Sequence, residues 1–174
     1  MALAVCLLFD ARTERALRSL WERLEAVGVP TLLTHTHRRH VPHLSYAVLR
    51  EFDLERVREA VDSLPSGEPV PLHIDAVGLF RRGRAALLPA ATSELVARQA
   101  AVADACVAAG ADLHKHYLPG AWIPHTSLAT HVRRELIGDV SAAAFGILPL
   151  EVVADRAALV DSSTGARWPL DGIP

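Results

Sequence analysis

The stretch Val41-Pro42-His43-Leu44-Ser45-Tyr46-Ala47 is written a second time as Ile123-Pro124-His125-Thr126-Ser127-Leu128-Ala129, a spacing of 82 between the histidines. Each copy is an apolar residue, Pro, His, any residue, Ser, an apolar or aromatic residue, and Ala. In a strand, the two-residue period puts His and Ser on one face and Tyr46 or Leu128 on the other. Each copy then offers an imidazole and a hydroxyl about 6–7 Å apart along the strand. Two such strands meeting across a groove would unite two histidines and two serines in one site.

The repetition extends past the motif. Gly28 precedes His43 by the same fifteen positions that separate Gly110 from His125. An amphipathic helical pattern follows each motif. Pro71-Leu72 answers Pro149-Leu150, and Arg84-Ala85-Ala86-Leu87-Leu88 answers Arg156-Ala157-Ala158-Leu159-Val160. These matches describe two βαβαβ-type halves, about 1–83 and 84–174, related by a pseudo-two-fold axis within a single bilobal domain spanning 1–174.

Local patterns fill in the elements. Ala2–Phe9 reads as a buried strand, and Asp10 caps a helix with Leu17, Leu20, Trp21, Leu24 and Val27 on one stripe, stopped at Gly28. Pro30–His37 reads as extended, 42–49 as the first motif strand, and Asp53 as the cap of a second helix. A loop at 65–69, a strand at 70–80, a turn at Arg81-Arg82-Gly83-Arg84 and a return strand at 85–88 follow. Thr92 or Ser93 opens an Ala-rich helix that ends at Gly110. A loop over 113–120 leads to the second motif strand, about 122–129, and Val132, Leu136 and Val140 outline another helix. Residues 148–153 and 157–161 read as two strands, with a last short one near Trp168.

Bulk properties narrow the function. The 174 residues are 51% hydrophobic and 22% charged, enough to bury a core. The net charge of −2 argues against a general nucleic-acid coat, which needs many phosphate-neutralising cations. A small phosphorylated ligand or an RNA end held by a few cations remains open. Cys6 and Cys106 lie in apolar segments and read as buried thiols of a reducing compartment. The apolar N-terminus is short and lacks a basic leader, and no apolar run approaches the ~20 residues of a membrane span. The expectation is a cytoplasmic monomer with no membrane association and no stable protein partner.

Two histidines suit proton transfer near neutrality, because a free imidazole has a pKa of about 6.5. In-line cleavage of a phosphodiester needs one group to deprotonate the attacking oxygen and another to protonate the leaving oxygen. An opposed pair of imidazoles can do both, while two Ser hydroxyls stabilise the charge on the non-bridging oxygens.

His43-Leu44-Ser45-Tyr46 and His125-Thr126-Ser127-Leu128 resemble the paired H-x-[S/T]-hydrophobic motifs of the two-histidine (2H) phosphoesterase superfamily. Pro-His-x-Ser-Leu-Ala with Trp122 ahead of it resembles the 2′-5′ RNA ligase-like branch. The resemblance implies an α+β, bilobal, duplicated fold, with antiparallel sheets lining a central cleft and helices outside. It implies metal-independent action on 2′,3′-cyclic or 2′-5′-linked phosphates of nucleotides and RNA ends, with no cofactor. His43 and His125 would be the acid–base pair, and Ser45 and Ser127 the phosphate donors. The expected activity is hydrolysis of a cyclic phosphodiester. A non-catalytic module binding the same phosphates and a reversible 2′-5′ RNA ligase are the alternatives. Serine stands at both positions where threonine is commoner in the family.

Other residues compete for a role. His35, His37, His40 and His43 fall within nine positions, and His114 and His116 form a second HxH. Without cysteines or an HExxH, a polar cleft rim is the better reading than a metal site. By the 82-residue offset His40 corresponds to Trp122 and His35 to Tyr117, so His40, Tyr117 and Trp122 are candidate substrate contacts, the aromatic pair by base stacking. Arg81, Arg82 and Arg84 read as a solvated turn in preference to a phosphate clamp.

Overall fold

The computed structural model describes residues 2–174. Leu3–Phe9 forms strand β1, and Asp10 accepts the Arg12 and Thr13 N–H groups to cap helix α1, Ala11–Ala26. The α1 stripe Leu17, Leu20, Trp21 and Leu24 is fully buried. Then come β2 (His43–Leu49), α2 (Leu54–Asp62), β3 (Val70–Phe80), β4 (Arg84–Pro89) and α3 (Ser93–Ala108). The chain ends with β5 (Thr126–Ala129), α4 (Ile137–Phe145), β6 (Leu150–Asp161) and β7 (Arg167–Pro169). Among the described residues no helix is long and apolar enough to cross a membrane.

All strands join one seven-stranded antiparallel sheet in the order β2-β1-β6-β3-β4-β5, with β7 on β6. Element order runs β-α-β-α-β twice, yet each half lends its third strand to the other: β3 pairs β4, and β6 pairs β1. The two lent strands pair at the centre through Val70↔Ala154, Leu72↔Val152 and Ile74↔Leu150. A shift of 80 positions converts the first of these pairs into the last, so the two-fold relation passes through Leu72↔Val152. The same shift carries Cys6, partner of Ser45, to Ala86, partner of Ser127.

This register corrects two of the matches made on residue likeness. Strand β4 is the counterpart of β1, so Arg84–Leu88 does not answer Arg156–Val160. Pro71-Leu72 answers Glu151-Val152 instead of Pro149-Leu150. Ala- and Leu-rich strands resemble one another at several offsets, and only hydrogen-bond register selects one. The strands expected at 148–153 and 157–161 are one strand, β6. Its start pairs β3 and its later part pairs β1, with a register shift opposite Leu8 and Phe9. The segment expected to be extended over Pro30–His37 is a series of turns that runs on through Arg38, and Thr36 (φ 45°) and Arg38 (φ 59°) adopt left-handed conformations.

The helices cover one face of the sheet, and the main core lies between them. Helix α1 packs against β5 and α4, while α3 packs against β2 and α2. Each long helix therefore supports the motif strand of the other half. A smaller apolar cluster of Ala4, Cys6, Ala158 and Val160 occupies the opposite face. The sheet curls so that its two edge strands, β2 and β5, approach each other.

Candidate active site

Both motif histidines sit at the mouths of the edge strands. His43 is the first residue of β2, and His125 immediately precedes β5, which is shorter than the expected 122–129. In each, Nδ1–H donates to the carbonyl two residues back: His43 to Val41 O at 2.7 Å and His125 to Ile123 O at 2.8 Å. The proline between has a physical role here. It fixes its own φ and holds the preceding residue extended, which presets that carbonyl for the ring. With Nδ1 engaged, Nε2 of each ring is left for the cleft, as acceptor in the neutral form and donor when protonated.

A second feature is duplicated. Register slips by one residue after each serine, between Val5 and Cys6 opposite β2 and between Ala85 and Ala86 opposite β5. Tyr46 and Leu128 are the extra, bulged residues. The bulges turn Tyr46-Ala47 and Leu128-Ala129 together into the core, where all four are buried, while His and Ser stay on the opposite face. The carbonyl of each motif serine receives an indole N–H at 3.0 Å, Ser45 O from Trp122 and Ser127 O from Trp21. Buried Gln99 donates to Tyr46 O at 3.1 Å and to Tyr117 O at 2.8 Å, tying the loop before β5 onto β2.

The surroundings of the two halves differ. Ser45 is buried, with the Cys6 thiol 3.5 Å from its hydroxyl and the Tyr117 hydroxyl beside it. Burial pushes the Cys6 thiol and the Tyr117 hydroxyl each up to about 12, so both stay protonated. Ser127 is half-buried and pairs across to Ala86. The ring of His125 lies 5.5 Å from Phe80 and 6.4 Å from Tyr117, centre to centre. Desolvation lowers the pKa of both imidazoles, against the raising effect of the Nδ1 bonds. The charge of His125 adds to the lowering at His43, and that of Arg84 adds to it at His125.

The structure thus brings His43, Ser45, His125 and Tyr117 together where β2 and β5 approach, with Ser127 two residues after His125 on β5. Trp122 is half-buried and held by its bond to Ser45 O, a wall residue that packs 6.0 Å from Tyr46. His40 departs from the expected substrate contact. It is buried, its Nε2 engages Thr36 Oγ1 at 2.8 Å, and its ring packs 4.0 Å from His37. Burial and the imidazoles of His37, His43 and His35 push it down to about 4, so it stays neutral and supports the loop from behind. The same cluster was the alternative metal reading. Among the described residues no three His, Cys, Asp or Glu side chains converge as a metal ion would require. Cys6 and Phe80 were missed as site neighbours, because only cross-strand pairing brings them there.

An antiparallel sheet that brings two Pro-His-x-Ser edges together, with both rings anchored through Nδ1, defines a two-histidine phosphoesterase fold. The chain belongs to the 2′-5′ RNA ligase superfamily, whose family model matches residues 13–166. Similar solved structures include one described as a phosphoesterase, 16% identical with a TM-score of 0.60 over 97% of each chain. Another is E. coli LigT in complex with NADP+, 12% identical with a TM-score of 0.63, covering 97% of this chain and 94% of that one. At such identities the likeness is one of fold. No curated protein matches the sequence.

Proposed function

We propose that the protein is a metal-independent phosphodiesterase that opens a 2′,3′-cyclic or related phosphodiester of a nucleotide or RNA end. The observation that carries this reading is the duplicated pair of Nδ1–carbonyl bonds, which leaves one Nε2 from each half for the cleft beside a serine hydroxyl. Nε2 of one histidine takes the proton of an attacking water as its oxygen bonds to phosphorus. The bond from phosphorus to one ribose oxygen breaks, and Nε2 of the other, protonated histidine gives that oxygen its proton. The product is a phosphate monoester with a free neighbouring hydroxyl, and exchange with water resets the two rings. Ser45 and Ser127 donate to the non-bridging oxygens, where negative charge grows.

The test is turnover of adenosine 2′,3′-cyclic phosphate in EDTA. The expected result is full activity with the chelator and loss of activity in His43→Ala or His125→Ala. Loss on chelation with rescue by zinc would overturn the metal-independent reading. Tight binding without product would leave a phosphate-binding module. The same proton transfers, with an RNA 5′-hydroxyl replacing water as the nucleophile, would open the cyclic phosphate into a 2′-5′ linkage and a free 3′-hydroxyl, so formation of that linkage from RNA halves without ATP would assign the ligase activity.

A further inference from the structure

The two halves carry different side chains at matched positions beside their histidines. The 80-residue shift converts the cross-strand pair Ala4↔Val160 into Arg84↔Phe80. The first pair is apolar and buried at 7% and 9% exposure, whereas Arg84 is exposed. We propose that Arg84, next to Phe80 on the His125 side of the cleft, forms a subsite for a second phosphate of the substrate. The preferred substrate is then an oligonucleotide end, with a mononucleotide the poorer one. This rests on the phosphodiesterase reading and adds a binding group that reading does not use.

Three further observations support it. First, the hairpin that presents Arg84 is locked. Arg82 (φ 66°) and Gly83 (φ 72°) are left-handed, and Val132 N–H donates to Gly83 O at 2.5 Å. A Cβ at Gly83 would stand 2.7 Å from Val132 O, so only glycine allows the tip to dock there. Second, Arg84 forms no ion pair among the described residues, while nearby Arg50 is neutralised by Asp112 at 2.9 Å. The three stretches bordering the site, 31–50, 76–91 and 113–134, contain none of the twenty Asp and Glu of the chain. Third, Arg84 pairs across the hairpin with Phe80, whose ring lies 5.5 Å from that of His125, so its exposed side chain stands on the His125 side of the site, where its charge also acts on that imidazole. A planar guanidinium with no carboxylate partner suits a phosphate, and the matched position in the other half offers no charge at all.

The experiment compares adenosine 2′,3′-cyclic phosphate with a dinucleotide ending in the same group, which adds one internal phosphate. The native chain should favour the dinucleotide in kcat/KM. Arg84→Gln should lower the dinucleotide-to-mononucleotide ratio about tenfold, the size of one charge-assisted contact, and Arg84→Glu should lower it further. The logarithmic salt slope for the dinucleotide should lessen by about 0.7 in Arg84→Gln. A ratio unchanged within about twofold, with both substrates losing equally or not at all, overturns the subsite. If neither substrate is turned over by the native chain, the phosphodiesterase reading fails. Equilibrium binding of the same two molecules then reads Arg84 directly: a dinucleotide preference lost in Arg84→Gln supports the subsite, and no preference overturns it.

Discussion

The His43 half and the His125 half share a backbone and differ in what surrounds it. Both have the proline, the Nδ1 bond to the carbonyl two residues back, the bulge after serine and an indole on the serine carbonyl. The indoles come from unrelated places, α1 for one and the loop before β5 for the other, so the contact recurs although the residue that makes it does not. Around Ser45 stand a thiol and a phenol; around His125 stand two aromatic rings and a guanidinium. Tyr117 belongs to the second half in sequence, but its hydroxyl serves the serine of the first. On the proposed function, the duplicated geometry supplies two equivalent proton carriers. The unequal neighbours are what can make their roles differ.

Removing the shared chemistry should have the largest effect. His43→Ala and His125→Ala should each cost about 10²–10⁴-fold in kcat, measured beside unchanged circular dichroism. The double variant should cost little more than the worse single one, since the two transfers serve one step. Strict additivity, or a nearly active single variant, would break the view of two halves making one site.

The serines test whether the halves are equal as donors. Either Ser→Ala should cost about 10²-fold in kcat. Ser45, held by Tyr117 and Cys6, should be the more sensitive of the two. Equal losses would mean that the neighbours of Ser45 do not aim it.

Tyr117→Phe isolates that asymmetry. It keeps the ring against His125 and removes only the hydroxyl, so kcat should fall about three- to tenfold, the worth of one hydrogen bond of about 1 kcal/mol. In double-mutant cycles it should couple to Ser45→Ala and add independently to Ser127→Ala.

The pH profile should show the smallest effect. Both free-enzyme imidazoles lie below the ordinary 6.5. One must be neutral and one protonated, so both limbs of the bell in kcat/KM fall below that value and the maximum lies on the acid side of pH 6.5. Bound phosphate stabilises an imidazolium, which should move the alkaline limb of kcat upward. Arg84→Gln removes a lowering charge and should raise the His125 titration followed by NMR. The same sign governs stability. A histidine whose folded pKa is depressed, as His40 is to about 4, destabilises the fold as pH falls from 6.5 towards that value, because the unfolded chain binds the proton first. Thermal melts should therefore drop across that window, with His40→Gln flattening the drop.

Much of this was legible before any coordinates. The motif repeat named His43, His125, Ser45 and Ser127, because catalytic types at a two-residue spacing stand out even in an Ala-rich chain. Tyr117 was reachable through the 82-residue offset, although for stacking and not for its hydroxyl. His40 was misread because spacing alone does not reveal burial: its partner Thr36 adopts a left-handed conformation that turns the loop inward. Strand β6 was split in two because its bulged, polar centre breaks the apolar pattern where it changes partners.

The amino-acid sequence by itself determined the family and the candidate site, two Pro-His-x-Ser strands whose proline, ring and hydroxyl carry their local geometry with them. Local geometry depends on near neighbours and a residue period, and both are written in order along the chain. Only the tertiary structure decided that β3 and β6 exchange partners, that Cys6 and Tyr117 meet at Ser45, and that Arg84 stands where the other half has Ala4. Those relations rest on antiparallel register between residues up to 158 positions apart, as at Leu3↔Asp161, and register is set by the whole core at once.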